Sequence, residues 1–160
     1  MKNAAKKLID KLPKLKLSLD KLVKNEVLVG VPREAPVRKD GEMNNATLAY
    51  IHNNGSPAQN IPARPFMEPG VEAVKDRIVS NLKSAAKKAL DKDENAVGES
   101  LHKVGLIVQA SIRGKINEGI DPPLAPATLA ARRRSGAKGT KPLIRTGQMR
   151  NAINYEVRKK

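Results

Sequence analysis

The side chains that most often carry catalysis are few in this sequence, and their spacing does not assemble a reactive set. His52 and His102 are the two histidines, and neither has further metal ligands near it at helical or hairpin spacing. Ser56 lies close to His52, but no nucleophile-elbow motif surrounds it. Acyl transfer also needs an acid that orients the base. This pair therefore does not predict a hydrolase.

Two other segments carry groups that occur in catalytic or phosphate-binding sites. Asp91, Asp93 and Glu94 stand in a polar connection between two predicted helices, where we expect them to be solvated. The segment Gly136–Lys141 is rich in glycine and lysine, but it lacks the P-loop spacing and follows no strand. The sequence therefore predicts a protein that is not an enzyme and that binds no cofactor or metal.

The basic side chains suggest binding to an acidic partner. The formal net charge is +15, and it is concentrated in the two ends of the sequence. Residues 1–24 hold eight lysines and two aspartates, residues 132–160 hold ten basic side chains and one glutamate, and residues 25–131 are neutral. Clustered charge of this kind attracts acidic surfaces. DNA, an acidic protein and an anionic membrane are the alternatives.

The arginine run at 132–134, with Lys138 and Lys141, suits contacts with phosphate groups. Proteins that bind single strands or read RNA usually add aromatic platforms on which bases stack. Aromatic residues make up only 2% of this chain, and none lies among residues 132–141. Composition alone thus favours neither a non-specific DNA contact nor an acidic protein partner over the other.

Residues 1–24 form a basic amphipathic segment. Its leucines at 8, 12, 15, 19 and 22 recur at helical spacing, although residues 15–19 also alternate as a strand would. Lysine and leucine favour a helix, and Pro13 would kink or restart it. We expect an N-terminal helix or arm that packs on this protein or on a neighbouring subunit. The membrane alternative lacks an aromatic anchor, and we expect no membrane partner.

No apolar run approaches the roughly 20 residues needed to span a bilayer. No continuous apolar block follows the first lysines, as a signal peptide would require. We therefore expect synthesis in the cytoplasm and retention there until assembly.

Residues 25–160 predict a single α+β domain. Val27–Val31 is a short β-branched run ended by Pro32, which is typical of a strand. Ile153, Tyr155 and Val157 alternate with polar residues and predict a terminal strand. Short helices are expected at 46–52 and 127–134, and Thr146 is expected to cap a final helical turn.

Two longer helices are predicted over residues 71–89 and 95–117. The apolar face of the first is Val71, Val74, Ile78, Leu82, Ala85 and Ala89. The face of the second is Val97, Leu101, Val104, Val108, Ile112 and Ile116, widened by Leu106 and Ile107. Gly98, Gly105 and Gly114 each weaken this second helix by about 1 kcal/mol relative to Ala. Their presence predicts close packing against a neighbour.

Four prolines, at positions 57, 62, 65 and 69, stiffen the loop before the first long helix. Three of these prolines, at 57, 62 and 65, fall within residues 55–66, which we call the proline loop. Phe66, the only phenylalanine, is expected to anchor this loop by burial that contributes about 2 kcal/mol.

Two blocks of sequence resemble the neck and tail-completion proteins of tailed bacteriophages, also called virion morphogenesis proteins. The first block is Tyr50–Ser56 followed by Ile61–Pro69, in which a Tyr-containing helix ends in a Gly-Ser turn before Pro-Ala-Arg-Pro-Phe. The second is Pro123–Leu129 followed by Lys141–Ile153, with its Leu-x-x-Thr-Gly turn. The family often has Glu-Phe at 53–54 and commonly Asp at 145, whereas this chain has Asn-Asn and Arg.

The resemblance implies a non-enzymatic structural protein of the virion neck, at the head–tail junction. It implies an α+β fold in which a small antiparallel sheet packs with two long helices, and a homo-oligomeric ring between the portal or connector and the tail terminator, tube or sheath proteins. The basic ends would meet acidic partner surfaces or packaged DNA. The expected subunit or neighbour contacts are Arg64, Phe66, Arg132, Arg133, Arg134 and Arg145. The alternative is a small, non-specific DNA-binding protein.

Overall fold

The computed structural model describes residues 13, 16, 17, 20, 23–34, 43–90 and 95–160. Within these ranges the chain is a mixture of helices and one two-stranded antiparallel sheet, which confirms the α+β class. The elements are β1 (Asn25–Gly30), α1 (Asn45–Asn54), α2 (Met67–Glu72), α3 (Lys75–Leu90), α4 (Ala96–Glu118), α5 (Pro126–Arg134), α6 (Gln148–Asn151) and β2 (Asn154–Lys159).

The described residues divide into two compact units. The first, which we call the sheet unit, contains the residues up to Leu28 together with Val74–Ile107 and Tyr155–Lys160. The second, the loop unit, contains Val29–Ala73 and Val108–Asn154.

The N-terminal segment lies mostly outside the described residues, and so does the prediction of an arm over 1–24. Its described positions (13, 16, 17, 20, 23 and 24) are helical. The segment between β1 and α1 is likewise described only in part, at residues 31–34, 43 and 44. Asn45 already belongs to α1, where the side chain of Asn44 caps the helix by accepting from Thr47 N at 2.7 Å.

The sheet unit is held by apolar packing around α4. Val97 and Leu101 form its buried cluster, with Val27 of β1, Leu82 of α3 and Val157 of β2 packed against them. The predicted terminal strand is confirmed, and its alternation puts Tyr155 and Val157 on the partly buried face. At one edge of the sheet the Arg158 Nε atom donates to Glu26 Oε1 at 2.9 Å.

The glycines of α4 differ in what surrounds them. A Cβ atom at Gly105 would overlap the ring of Tyr155, so this glycine permits the close packing that the sequence predicts. Among the described residues, nothing lies within 4 Å of a Cβ added at Gly98 or Gly114, so the predicted close packing is not seen at those two positions.

The predicted helix over 71–89 is two helices, α2 and α3, separated at Ala73 and Val74. The reason lies in α2, which is fixed to α4 by its own contacts. A Cβ at Gly70 would lie 2.7 Å from Ile112 Cγ1, and the Ser111 hydroxyl donates to Gly70 O at 2.6 Å. Val71, which the single-helix pattern assigns to the buried face, is 40% exposed.

The six-residue apolar face predicted for the helix over 95–117 is buried throughout. Leu106, expected to widen it, is 53% exposed. In the loop unit the largest fully buried side chains are Phe66, Ile112, Ile116 and Ile153, so Phe66 is the anchor that the sequence predicts.

The last helical turn, α6, is capped one residue later than the sequence predicts. Gly147, in the left-handed conformation with φ of 76°, is the N-cap residue. The Thr146 hydroxyl accepts from Gln148 N only at 3.5 Å, which is too long for a good capping bond. Gly147 takes the N-cap position because glycine adopts a positive φ at no steric cost.

Candidate functional site

The proline loop returns to the end of α1 and is bonded to it. Arg64 N donates to His52 O at 2.8 Å. The Asn53 side chain accepts from Phe66 N at 3.1 Å and from Met67 N at 3.2 Å, and so caps α2 from outside the helix. Gly55 has a φ of 81°, and a Cβ there would lie 2.8 Å from Ala63 N. Only glycine fits this crossing of the two backbone segments.

Arg64 links this loop to the second block of the sequence. Its side chain is buried, at 5% exposure, and the guanidinium donates from Nε to Pro122 O at 2.8 Å and from Nη2 to Pro123 O at 3.1 Å. Burial lowers the pKa of Arg64 from its ordinary value, but an arginine stays charged. Its partners are carbonyl oxygens, so the hydrogen bonds are satisfied while the positive charge is not neutralised.

Arg132 plays the same part in the basic loop, which we define as residues 135–145. From the last turn of α5 its Nη1 atom donates to three main-chain oxygens, Gly139 O at 3.0 Å, Lys141 O at 3.0 Å and Ile144 O at 3.2 Å. Burial lowers the pKa of Arg132, and the positive charge of Arg145 lowers it further. The loop is therefore wrapped around a cation that has a second cation beside it.

These two arginines and Arg145 line one cleft of about 210 Å³ in the loop unit. Its walls are formed by α1, the proline loop, α5, the end of the basic loop and the start of α6. The lining residues are Leu48, His52, Arg64, Leu124, Thr128, Arg132, Leu143, Arg145, Thr146, Gly147, Gln148 and Met149. We call this the arginine cleft.

The chemistry of the arginine cleft is that of an anion site with apolar walls. The lining includes three arginines and no aspartate or glutamate. Within the described ranges, no ion pair joins Arg64, Arg132 or Arg145 to a carboxylate. Leu48, Leu124, Leu143 and Met149 supply apolar surface. Leu143 has a φ of 63°, and such backbone strain in a non-glycine residue is more frequent at functional sites.

A second groove, of about 250 Å³, lies on the other side of Arg132. Leu129, Arg132, Arg133 and residues 136–140 line it. Arg133 and Lys138 are exposed there. Arg134 is exposed and lines neither the cleft nor this groove.

The structure thus separates the six arginine and phenylalanine positions that the sequence proposes as contacts. Arg64, Arg132 and Arg145 lie at one cleft, Arg133 and Arg134 are exposed on the last turn of α5, and Phe66 is fully buried. A buried Phe66 affects a neighbour only by fixing the shape of the proline loop. Sequence reasoning missed the groups that accept hydrogen bonds from Arg64. No sequence pattern indicates that the Pro122 and Pro123 carbonyls are its partners.

The histidines lie apart from any set of metal ligands. His102 is exposed in the sheet unit, with its Nδ1 3.5 Å from the Tyr155 hydroxyl and its ring edge-on to the tyrosine. Among the described residues, no group of three or more His, Asp or Glu side chains is placed to hold a metal ion. No helix in these ranges combines the length and the hydropathy that a membrane span requires.

No family model and no curated protein matches the sequence, and no solved structure matches the fold.

Proposed function

We propose that the protein is a structural subunit of the neck of a tailed bacteriophage, where it joins head to tail as part of a homo-oligomeric ring. The expected neighbours are the portal or connector on one side and tail terminator, tube or sheath proteins on the other. The protein acts by binding and positioning, without catalysis.

One observation carries most of the support. The two blocks that resemble neck proteins, around residues 50–69 and 123–153, are far apart in sequence, yet they meet at the arginine cleft. Arg64 of the first donates to the Pro123 carbonyl of the second, and Arg132 holds the basic loop that leads into Leu143 and Gly147. The resemblance therefore falls on residues that form one surface.

The exposed residues near this surface suit contacts between proteins. Tyr50, in the first block, is 70% exposed on α1, and tyrosine is enriched at protein interfaces. Arg133 and Arg134 project from the end of α5. The proline loop is held by hydrogen bonds at both ends, so little conformational entropy would be lost when it docks.

Electron microscopy of the purified protein tests the assembly. We expect closed rings, because head-to-tail contacts between identical subunits close when the rotation allows it. A protein that stays monomeric at high concentration, both alone and with the head and tail proteins, would contradict the proposal.

Charge reversal tests the junction itself. In the phage that encodes this chain, Arg133→Glu with Arg134→Glu should give full heads and free tails that do not join. Arg132 is left unchanged because it holds the basic loop. The matched control is Lys87→Glu with Lys88→Glu, which reverses two exposed charges on α3 of the sheet unit. Normal yields of joined particles from the arginine variant would overturn the proposed role.

A non-specific DNA-binding protein is the second candidate, favoured by the exposed cations Arg133, Arg134 and Lys138. A DNA binder loses affinity steeply between ~50 and ~200 mM salt, because each neutralised phosphate releases counterions. Absence of any shift of duplex DNA at low salt in an electrophoretic mobility assay would remove this candidate.

A further inference from the structure

We propose that the arginine cleft binds an acidic peptide segment of a partner protein, with a carboxylate at the arginines and an adjacent aliphatic side chain on the leucines. In identifying the partner as a neighbouring protein of the neck, this inference rests on the function proposed above. Binding of the peptide itself can be tested without that assumption.

The positive charges of the arginine cleft are held in place but are not neutralised. Main-chain carbonyls accept the hydrogen bonds of Arg64 and Arg132 and hold both guanidinium groups in place. A carbonyl carries no net charge, so the positive charges are fixed without being neutralised. Arg145 adds a third at the same cleft and has no carboxylate partner in the described ranges. The repulsion between like charges held together in this way is reduced when an anion binds.

The site is also built before the ligand arrives. Arg132 is tied to three oxygens of the basic loop, and Lys141 Nζ donates to Asn117 O at the end of α4. The loop that forms one wall of the cleft is therefore fixed at both sides of Leu143. A preformed site loses little entropy on binding, which raises the affinity for a short segment.

The size and the apolar lining of the arginine cleft indicate which kind of anion it binds. A DNA backbone presents phosphates and sugars across a broad surface, whereas this cleft is about 210 Å³ and includes Leu48, Leu124, Leu143 and Met149 in its lining. Phosphate groups would leave those apolar side chains without a partner. A peptide offers both groups at once, because an acidic residue and an aliphatic neighbour fit charged and apolar walls together. An arginine also pairs well with a carboxylate, in a planar, two-bond arrangement.

The test uses the full chain and a fluorescein-labelled pentapeptide in which leucine alternates with aspartate and glutamate. Fluorescence anisotropy at low salt should detect binding. The same peptide with asparagine and glutamine, or with alanine in place of leucine, should bind at least about tenfold more weakly, because each loses one of the two kinds of contact.

Two variants place the binding on the protein. Arg145→Gln removes the exposed cation of the cleft and should weaken the peptide by about tenfold. Lys88→Gln removes the same charge from α3, outside the cleft, and should leave the affinity unchanged. Circular dichroism checks that both variants are folded.

Three results would overturn the inference: no binding of the acidic peptide, equal loss of affinity in both variants, or tighter binding of labelled duplex DNA that depends on Arg145. The first two exclude the cleft as the peptide site, and the third assigns it to nucleic acid. The outcome is separable from the proposed function. Rings without peptide binding remove the cleft assignment alone, and peptide binding with neither rings nor a junction defect removes the neck function alone.

Discussion

Arg158 of the sheet unit and the arginines at 64 and 132 of the loop unit have different kinds of hydrogen-bond acceptor. In the sheet unit the backbone of β1 and β2 is bonded by the strand ladder, and Arg158 pairs with the carboxylate of Glu26 at the surface. In the described part of the loop unit the irregular backbone has no strand ladder, and Arg64 and Arg132 donate to its carbonyl oxygens. Buried main-chain oxygens need such donors.

This difference has an electrostatic consequence. A carboxylate neutralises the arginine that it accepts from, whereas a carbonyl oxygen leaves the charge in place. The loop unit therefore acquires an ordered backbone and a fixed positive potential from the same hydrogen bonds. Loops that are rich in proline and arginine can in this way be rigid and also attract anions.

The largest expected effect compares an arginine from each unit. Arg64→Met keeps most of the side-chain volume but leaves the Pro122 and Pro123 carbonyls without their donor, and we expect a loss of about 2–3 kcal/mol in unfolding free energy. Arg158→Met breaks an exposed ion pair, which typically contributes less than about 1 kcal/mol. Urea denaturation of both variants measures the difference. Equal losses would refute the distinction between the units.

A smaller effect is expected within the sheet unit, where two glycines of α4 give opposite results. Gly105→Ala puts a Cβ into the Tyr155 ring and should cost about 1–3 kcal/mol. Gly98→Ala adds a Cβ that meets none of the described residues within 4 Å, and should stabilise the helix by about 0.5–1 kcal/mol. Thermal unfolding should therefore shift in opposite directions. A shift in the same direction would mean that strand β2 does not pack on α4 through Tyr155.

The smallest effect concerns Arg145, whose positive charge repels the positive charge of Arg132. Arg145→Gln should leave the fold intact and raise the unfolding free energy by no more than about 0.5 kcal/mol. The gain should shrink at high salt, because ions screen the repulsion. Urea denaturation at two salt concentrations, with Arg134→Gln as the control, measures it. A clear loss of stability would show that Arg145 holds the basic loop rather than serving a ligand.

The sequence was most informative where the spacing of apolar residues within one element is enough to predict that element. The buried face of α4 follows from apolar residues at helical spacing, and the alternation of Ile153, Tyr155 and Val157 predicts β2. The exposed Leu106 and the break between α2 and α3 could not be read in this way. They depend on which neighbour occupies the space, as Ile112 does against Gly70.

The candidate site shows the same limit. The arginines at 64, 132 and 145 stand out in the sequence, and their types predict an acidic partner. Their convergence depends on bonds to Pro122, Pro123, Gly139 and Ile144 through main-chain atoms, which are the same in every residue. Side-chain identity therefore carries no signal for these partners, and the cleft emerges only from the folded chain.

The pairing of β1 with β2 also bears on how the chain folds. The bond between Arg158 and Glu26 joins residues 132 positions apart, whereas α4 forms through contacts within a few residues. Closing so long a stretch costs entropy before the sheet contributes any stability, so we expect the helices to form early and the sheet late. Until β2 docks, both edges of β1 are open to a second copy, and we expect strand exchange between copies to compete with correct folding.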